Sequence, residues 1–192
     1  MTLRLSEPDP ALQASYLAAL DELNAEGNGH FLAMVHPPEP GYAGADFTLE
    51  TLADPATFAA FCAREVSLAL PDSPRPTGWV TGTYLWMVDD TTDGAEVVGR
   101  ISLRHELTPW LLEVGGHIGY AVRPSARRRG HATRALALML PIAADHGLDR
   151  VLVTCDVDNE GSRRVIEANG GVLEDVRGTK RRYWIPTGPS SR

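Results

Sequence analysis

The 192-residue sequence predicts a single α/β domain of the α+β type, with a mixed, largely antiparallel central sheet flanked by helices. Three observations predict it. Residues 1–78 carry two helix signatures separated by a loop rich in Gly, Pro and His; three short β-type runs with brief connections follow; and the last third alternates helix and strand. No internal repeat or linker-like stretch interrupts the chain. A helical part (1–78), a sheet-bearing core (79–186) and a tail (187–192) are therefore expected to form one unit.

Asp9-Pro10 reads as an N-cap followed by proline in the first helical turn, and Leu12, Tyr16, Leu20 and Leu23 then recur at helical spacing until Gly27. Residues 26–47 keep neither a helical nor a strand period. Asp54-Pro55 opens a second helix in the same way, with Phe58, Phe61, Val66 and Leu70 as its apolar positions, and the PDSPRPTG loop ends at Gly78. Strands are predicted at 80–88, 97–103 and 117–122, the first two separated by a polar turn containing Asp93-Gly94. A helix over 130–146 is stopped by Gly147. A strand at 150–155, a helix at 159–169 and strands at 172–176 and 181–185 complete the order, and the PTGPSSR end reads as frayed.

Composition narrows the function. With 43% hydrophobic and 22% charged residues the chain is globular, and a formal charge of −7 argues against a nucleic-acid binder, which needs a basic footprint. Cys62 and Cys155 lack metal-type spacing, so no metal site is expected and both read as reduced thiols. The start, MTLRLSEPDP, has no apolar signal core, and the longest mostly apolar run, 135–144, is half a membrane span and contains Pro141. The expectation is a soluble, cytoplasmic protein without membrane or nucleic-acid partners.

The informative stretch is HIGYAVRPSARRRGHA, residues 117–132: a strand, a tight basic loop, then a helix beginning near Gly130. The free amides of a first helical turn and the positive end of its dipole make an anion site, and Arg127, Arg128 and Arg129 add charge there. Gly130 permits close backbone approach and Ala132 keeps the next turn slim, so a diphosphate suits the loop better than a single carboxylate.

The run Arg127-Arg128-Arg129-Gly130-His131-Ala132 resembles the R/Q-x-x-G-x-G/A signature of the GNAT superfamily of N-acetyltransferases. The preceding Val122-Arg123-Pro124 step, the strand at 151–155, the Asn159-Glu160-Gly161-Ser162 helix start and Gly170-Gly171 follow the family order, so the resemblance covers about 97–185. It implies a GNAT-like sheet with a splayed strand pair and an acetyl-CoA site. The loop amides of Arg128 through Thr133 would hold the diphosphate; Pro124, Asn159 and Ser162 would line the cofactor arm; and the Val122 amide would face the thioester oxygen and stabilise an oxyanion. The implied reaction is direct attack by an amine, of a small molecule or a peptide N-terminus, in a ternary complex. A catalytically silent acetyl-CoA sensor is the competing reading. The acceptor, the acyl chain length and the oligomeric state, monomer or homodimer, stay open.

Two family positions depart from the pattern. Ile166 stands where relatives carry a tyrosine acid, and Gly116 falls near their glutamate. His117 and Tyr120, on opposite strand faces by alternation, are the substitute catalytic candidates, with Glu113 nearby. Tyr183 and Trp184 are candidates to line an acceptor pocket, whereas Cys155 reads as buried rather than nucleophilic. The 26–47 loop, with His30, His36, Glu39 and Asp46, is the expected lid, its acids suited to a cationic amine.

Overall fold

The computed structural model describes residues 3–92 and 94–188. Both Asp-Pro starts fold as their chemistry dictates. The Asp9 carboxylate accepts the Ala11 amide (2.9 Å) ahead of a 3-10 turn at Pro10–Leu12 and helix α1 (Gln13–Ala25). Asp54 accepts both the amide and the hydroxyl of Thr57, each at 2.8 Å, and starts α2 (Pro55–Ser67). The remaining helices are α3 (His131–Asp145) and α4 (Glu160–Ala168).

Among the described residues there are nine strands: β1 (Leu3–Ser6), β2 (Met34–His36), β3 (Ala45–Phe47), β4 (Gly82–Thr92), β5 (Gly94–Arg104), β6 (Ile118–Val122), β7 (Arg150–Asp156), β8 (Val172–Arg177) and β9 (Lys180–Pro186). Seven form one sheet in the order β1-β4-β5-β6-β7-β9-β8, antiparallel throughout except for β6 against β7. The predicted three-strand meander is β4-β5-β6. Two features depart from expectation: β1 adds an edge strand beside β4, and the 26–47 loop contains the separate β2-β3 hairpin. These strands have four and three residues, too few to display a period. Of the expected features, Asp93 and residues 189–192 lie outside the described residues. The start of the tail is tied down, since the Thr187 amide donates to the Asp149 carbonyl at 3.1 Å.

Each face of the sheet carries its own core. On one face α1 and α2 pack Tyr16, Phe58 and Phe61 around Trp86, the Tyr16 and Trp86 ring centroids 4.4 Å apart. On the other, Leu136 and Met139 of α3 and Ile166 of α4 cover Ile101, Ile118 and Val153.

The parallel junction of β6 and β7 positions everything that follows. Its register contains one pair, Ile118 with Val153. Immediately before it Gly116 adopts φ +64°, and a Cβ there would stand 2.6 Å from the Leu152 carbonyl oxygen, so only glycine allows the strands to meet so closely. The His117 amide donates to the Leu152 carbonyl (2.7 Å), and the Leu152 amide donates back to the His117 ring at Nδ1 (2.8 Å). The Thr154 hydroxyl bonds the Val114 carbonyl at 2.6 Å in the short π-helical turn at Leu111–Gly115, completing the latch. Beyond Ile118 the two strands part.

His117 is 6% exposed, and burial, reinforced by Arg104, lowers its pKa to about 4. The unfolded chain, with an ordinary imidazole near 6.5, takes up a proton that the folded chain refuses. The stabilisation is therefore complete above about pH 6.5 and drains away as the pH falls toward 4. Asparagine, which offers an acceptor but does not titrate, is expected to fold at pH 7 and to flatten this pH dependence in His117→Asn. His117→Ala strands the buried Leu152 amide and is expected to cost about 1–3 kcal/mol. Urea denaturation from pH 4 to 7.5 reads both effects.

Candidate active site

The loop from β6 to α3 is held from behind by a charged cluster. Buried Arg123 bridges Glu22 of α1 and Glu96 of β5 (2.9 Å to each), and Glu22 also accepts the Ser125 amide and hydroxyl at 2.9 Å. These contacts hold the Glu22 carboxyl below the ordinary range despite partial burial. Arg127 turns back as well: its Nε donates to the Val122 carbonyl (3.0 Å) and its Nη atoms pair with Glu26 at 2.6 and 3.0 Å. Its charge serves the loop rather than the open space in front of it, where the sequence had set it with its neighbours.

Arg128 and Arg129 are left exposed at that opening. Arg128 takes φ +63°, a left-handed conformation costing a non-glycine residue roughly 1–2 kcal/mol. Gly130 caps α3 at φ +79° with nothing within 4 Å of a would-be Cβ. No side chain caps α3, and its first turn holds no acid. The amides from Gly130 to Thr133 thus face open space, a set of donors that suits an anion. The His131 ring is 2% exposed, 3.7 Å from Asp89, and burial lowers its pKa. Only its backbone belongs to the opening.

The gap between β6 and β7 leads from this loop toward the latch. The Arg123 amide bonds the Val98 carbonyl on the β5 side (2.9 Å), so strand alternation turns the Val122 amide the other way, into the gap. Pro124 opens the 3-10 turn that follows (Pro124–Ala126). The Tyr120 hydroxyl crosses the gap to the Ser162 hydroxyl of α4 at 2.6 Å, and burial pushes its pKa up to about 12. Asn159 caps α4, its Oδ1 accepting the Ser162 amide at 2.9 Å. Ile166 is fully buried in the core and Cys155 is buried with a raised pKa, so neither offers chemistry to the gap.

Of the two catalytic candidates, the structure brings Tyr120 to the gap and commits the Nδ1 lone pair of His117 to the latch. Sequence alternation separated the two faces but could not reveal that ring's partner, 35 residues away. Glu113 is exposed and paired with Arg177. Tyr183 is buried against Glu167, and Trp184 lies beneath Arg150, 4.2 Å from its ring centroid; Trp184 borders an open pocket with Asp149 and Val172, and neither residue lines the cavity on the α1 and α2 side of β6.

On the opposite face of β6, toward α1 and α2, lies a cavity of about 370 Å³. Its floor is formed by Tyr84, Arg100, Ser102 and Arg104 of the sheet beside Gly119 and Ala121, and its rim by Phe31, Trp79 and Trp110. The expected lid contributes His30 to this lining, but His36, Glu39 and Asp46 do not line it, and Glu39 is taken by the Thr77 amide. The acid in the cavity comes instead from α2: Glu65, 1% exposed, lies 2.6 Å from Arg100. Sequence reasoning missed Glu65, Arg100 and Arg104, because single charges in a helix and a strand read as solvated positions.

Comparison with known proteins agrees with this architecture. Among solved structures, the microcin C7 self-immunity acetyltransferase MccE in complex with acetyl-CoA and AMP superposes with TM-score 0.61 at 12% identity, covering 96% of this chain and 92% of its own. The ribosomal-protein-S5-alanine acetyltransferase of Vibrio fischeri gives 0.60 at 17% identity over 96% and 92% of the two chains. RimL, a ribosomal L7/L12 alpha-N-protein acetyltransferase in complex with coenzyme A, gives 0.59 at 16% over 97% and 94%. These likenesses establish the fold. No curated protein sequence matches the chain. The profile of the acetyltransferase (GNAT) domain matches residues 45–172, about two thirds of the sequence, and the chain belongs to that family.

Proposed function

We propose that this protein is an acetyl-CoA-dependent N-acetyltransferase that acts by direct attack of an amine in a ternary complex. The observation carrying this reading is the gap between β6 and β7, latched at Gly116-His117 and opening beside the uncapped amides of α3, with a cavity on the other face of the same strand. Acetyl-CoA fits the residues present. The amides of Arg128 through Thr133, with the exposed guanidiniums of Arg128 and Arg129, would receive its diphosphate. Pro124, Asn159 and Ser162 border the path of its arm, and it supplies the thioester to be attacked.

The chain's own groups have distinct tasks. The Val122 amide, preorganised toward the gap, would donate to the thioester oxygen as charge develops on it. Tyr120 and Ser162 would donate a hydrogen bond to the sulfur. With a pKa raised to about 12, the phenol is a far weaker acid than a thiol near 8.5, so it stabilises a thiolate by hydrogen bonding rather than by surrendering its proton. His117 remains neutral and committed, so the amine's own proton leaves to solvent. This pair favours a working enzyme over a silent sensor.

Saturating acetyl-CoA, at about 100 times its Kd, is expected to stabilise the fold by about 2.7 kcal/mol and raise Tm by roughly 5–10 °C. Gly130→Val, which forces a β-branched residue to φ +79°, should abolish the shift; an undiminished shift would refute the diphosphate site. Tyr120→Phe and Ser162→Ala should each lower kcat by about 10²-fold in a thiol-release assay, with little change in KM for acetyl-CoA. The kcat/KM profile should follow the pKa of the acceptor amine, with no inflection near 6.5 from His117.

A further inference from the structure

The cavity behind β6 carries an imbalance of charge that points to its ligand. Glu65 is the one carboxylate among its described lining residues, and it faces Arg100 at 2.6 Å. Arg100 is further engaged by the Phe31 carbonyl (2.8 Å) and stacks over Tyr84, 4.6 Å from the ring centroid. Arg104 has no such acid. Its Nη1 donates to the carbonyls of Gly115 and Gly116, both at 3.1 Å, and the charged or titratable groups around its guanidinium are Tyr84, a second cation, Arg100, and the neutral His117 ring, none of them an acid that could neutralise it. Burial and that cation both disfavour its charge. The formal sum over Glu65, Arg100 and Arg104 is −1 + 2 = +1, and it rises to +2 if buried Glu65, whose pKa is raised, takes a proton. A part-buried guanidinium without a counter-ion is unfavourable until an anion joins it.

The position of that charge fixes where the anion would sit. The Arg104 terminal nitrogens hang over Gly119, 3.9 and 4.0 Å from where its Cβ would be. The acyl group would be delivered beside Ala121 and Val122, two to three residues further along β6. At about 3.3 Å per residue this is about 7–10 Å. Subtracting about 3 Å for a charged hydrogen bond and about 3 Å for an attack distance leaves on the order of 1–4 Å between nucleophilic nitrogen and anion. That is the span of an amino acid. The remaining wall, Phe31, Met34, Trp79 and Trp110, is apolar, and about 370 Å³ lies at the small end of ligand pockets.

We infer that the acceptor is a free amino acid, its carboxylate paired with Arg104, its apolar side chain among Phe31, Trp79 and Trp110, and its amine directed at the β6 gap. The inference rests on the acetyltransferase reading above and narrows it to a substrate class. The amine, once neutral, attacks the thioester carbon; the carbon–sulfur bond breaks, coenzyme A leaves as thiolate, and the amine proton passes to solvent.

The test follows thiol release by the full chain with acetyl-CoA and matched acceptors: phenylalanine, phenylalaninamide and 2-phenylethylamine, then leucine and isoamylamine. The carboxylate-bearing member of each set is expected to show a kcat/KM at least about 10²-fold higher, because a site built for a charged group rejects analogues lacking it. Peptides with a free N-terminus should rank with the amide. In Arg104→Gln the preference should fall at least tenfold, mainly through KM for the amino acid. Should that variant fail to fold, Gly119→Val supplies the second arm. It fills the space beneath the guanidinium, where its Cβ alone would stand 3.9 and 4.0 Å from the Arg104 terminal nitrogens, and should raise KM for phenylalanine more than for 2-phenylethylamine. Equal use of the matched acceptors, a preference for the uncharged ones, or an unchanged ratio in both variants overturns the inference. So does the absence of any turnover while acetyl-CoA still raises Tm, an outcome that leaves the cofactor site standing. If acetyl-CoA gives no shift, both readings fall.

Discussion

The Leu152 carbonyl oxygen lies where only a glycine at 116 lets two parallel strands meet, and the His117 ring returns a hydrogen bond across the same junction. Hydrogen-bonded pairing of β6 and β7 stops almost as soon as it starts, at Ile118 and Val153. Had it continued, the edge of β6 that carries the Val122 amide would be consumed by the neighbouring strand. Because it stops, that edge stays open within a folded core, a circumstance that buried backbone rarely tolerates without a partner waiting. At Gly116, near which the family resemblance expects a glutamate, the same close approach leaves no room for a side chain.

Around this junction, charge is divided between structure and site. Arg123 and Arg127 are spent on Glu22, Glu96 and Glu26, tying α1 and β5 to the loop behind α3. Arg128 and Arg129, one residue away, are left at the opening. On the far side of β6, Arg100 is neutralised by Glu65 and Arg104 is not. The protein has a formal charge of −7 overall, yet both openings onto β6 are locally positive, so net charge conceals what the site presents.

Much of this was legible in the sequence, for identifiable reasons. Asp9-Pro10 and Asp54-Pro55 announce helices because capping is a local hydrogen bond. The turn from β6 into α3 at Gly130 is legible because strand, basic loop and helix start lie in one short stretch. What escaped depends on distant partners. The β1 strand is four residues long and is defined by β4, eighty or more positions away. The role of His117 depends on an amide of β7, and the acidic loop residues turn elsewhere, with Glu39 held by Thr77. Glu65 and the strand arginines carry no local pattern, since their meaning arises only when α2 crosses the sheet.

The placement of the two openings on opposite faces of β6 bears on catalytic order. Neither ligand would have to pass the other, so under the proposed reading the two could load in either sequence. The acylated product would depart through the aromatic rim while coenzyme A remained in its cleft. Steady-state patterns for such an arrangement intersect rather than run parallel, and coenzyme A together with unreacted acceptor would form a dead-end complex. Accumulating coenzyme A would thereby slow the enzyme even at abundant acceptor, which couples its output to the acyl-to-free ratio of the cofactor pool rather than to either concentration alone.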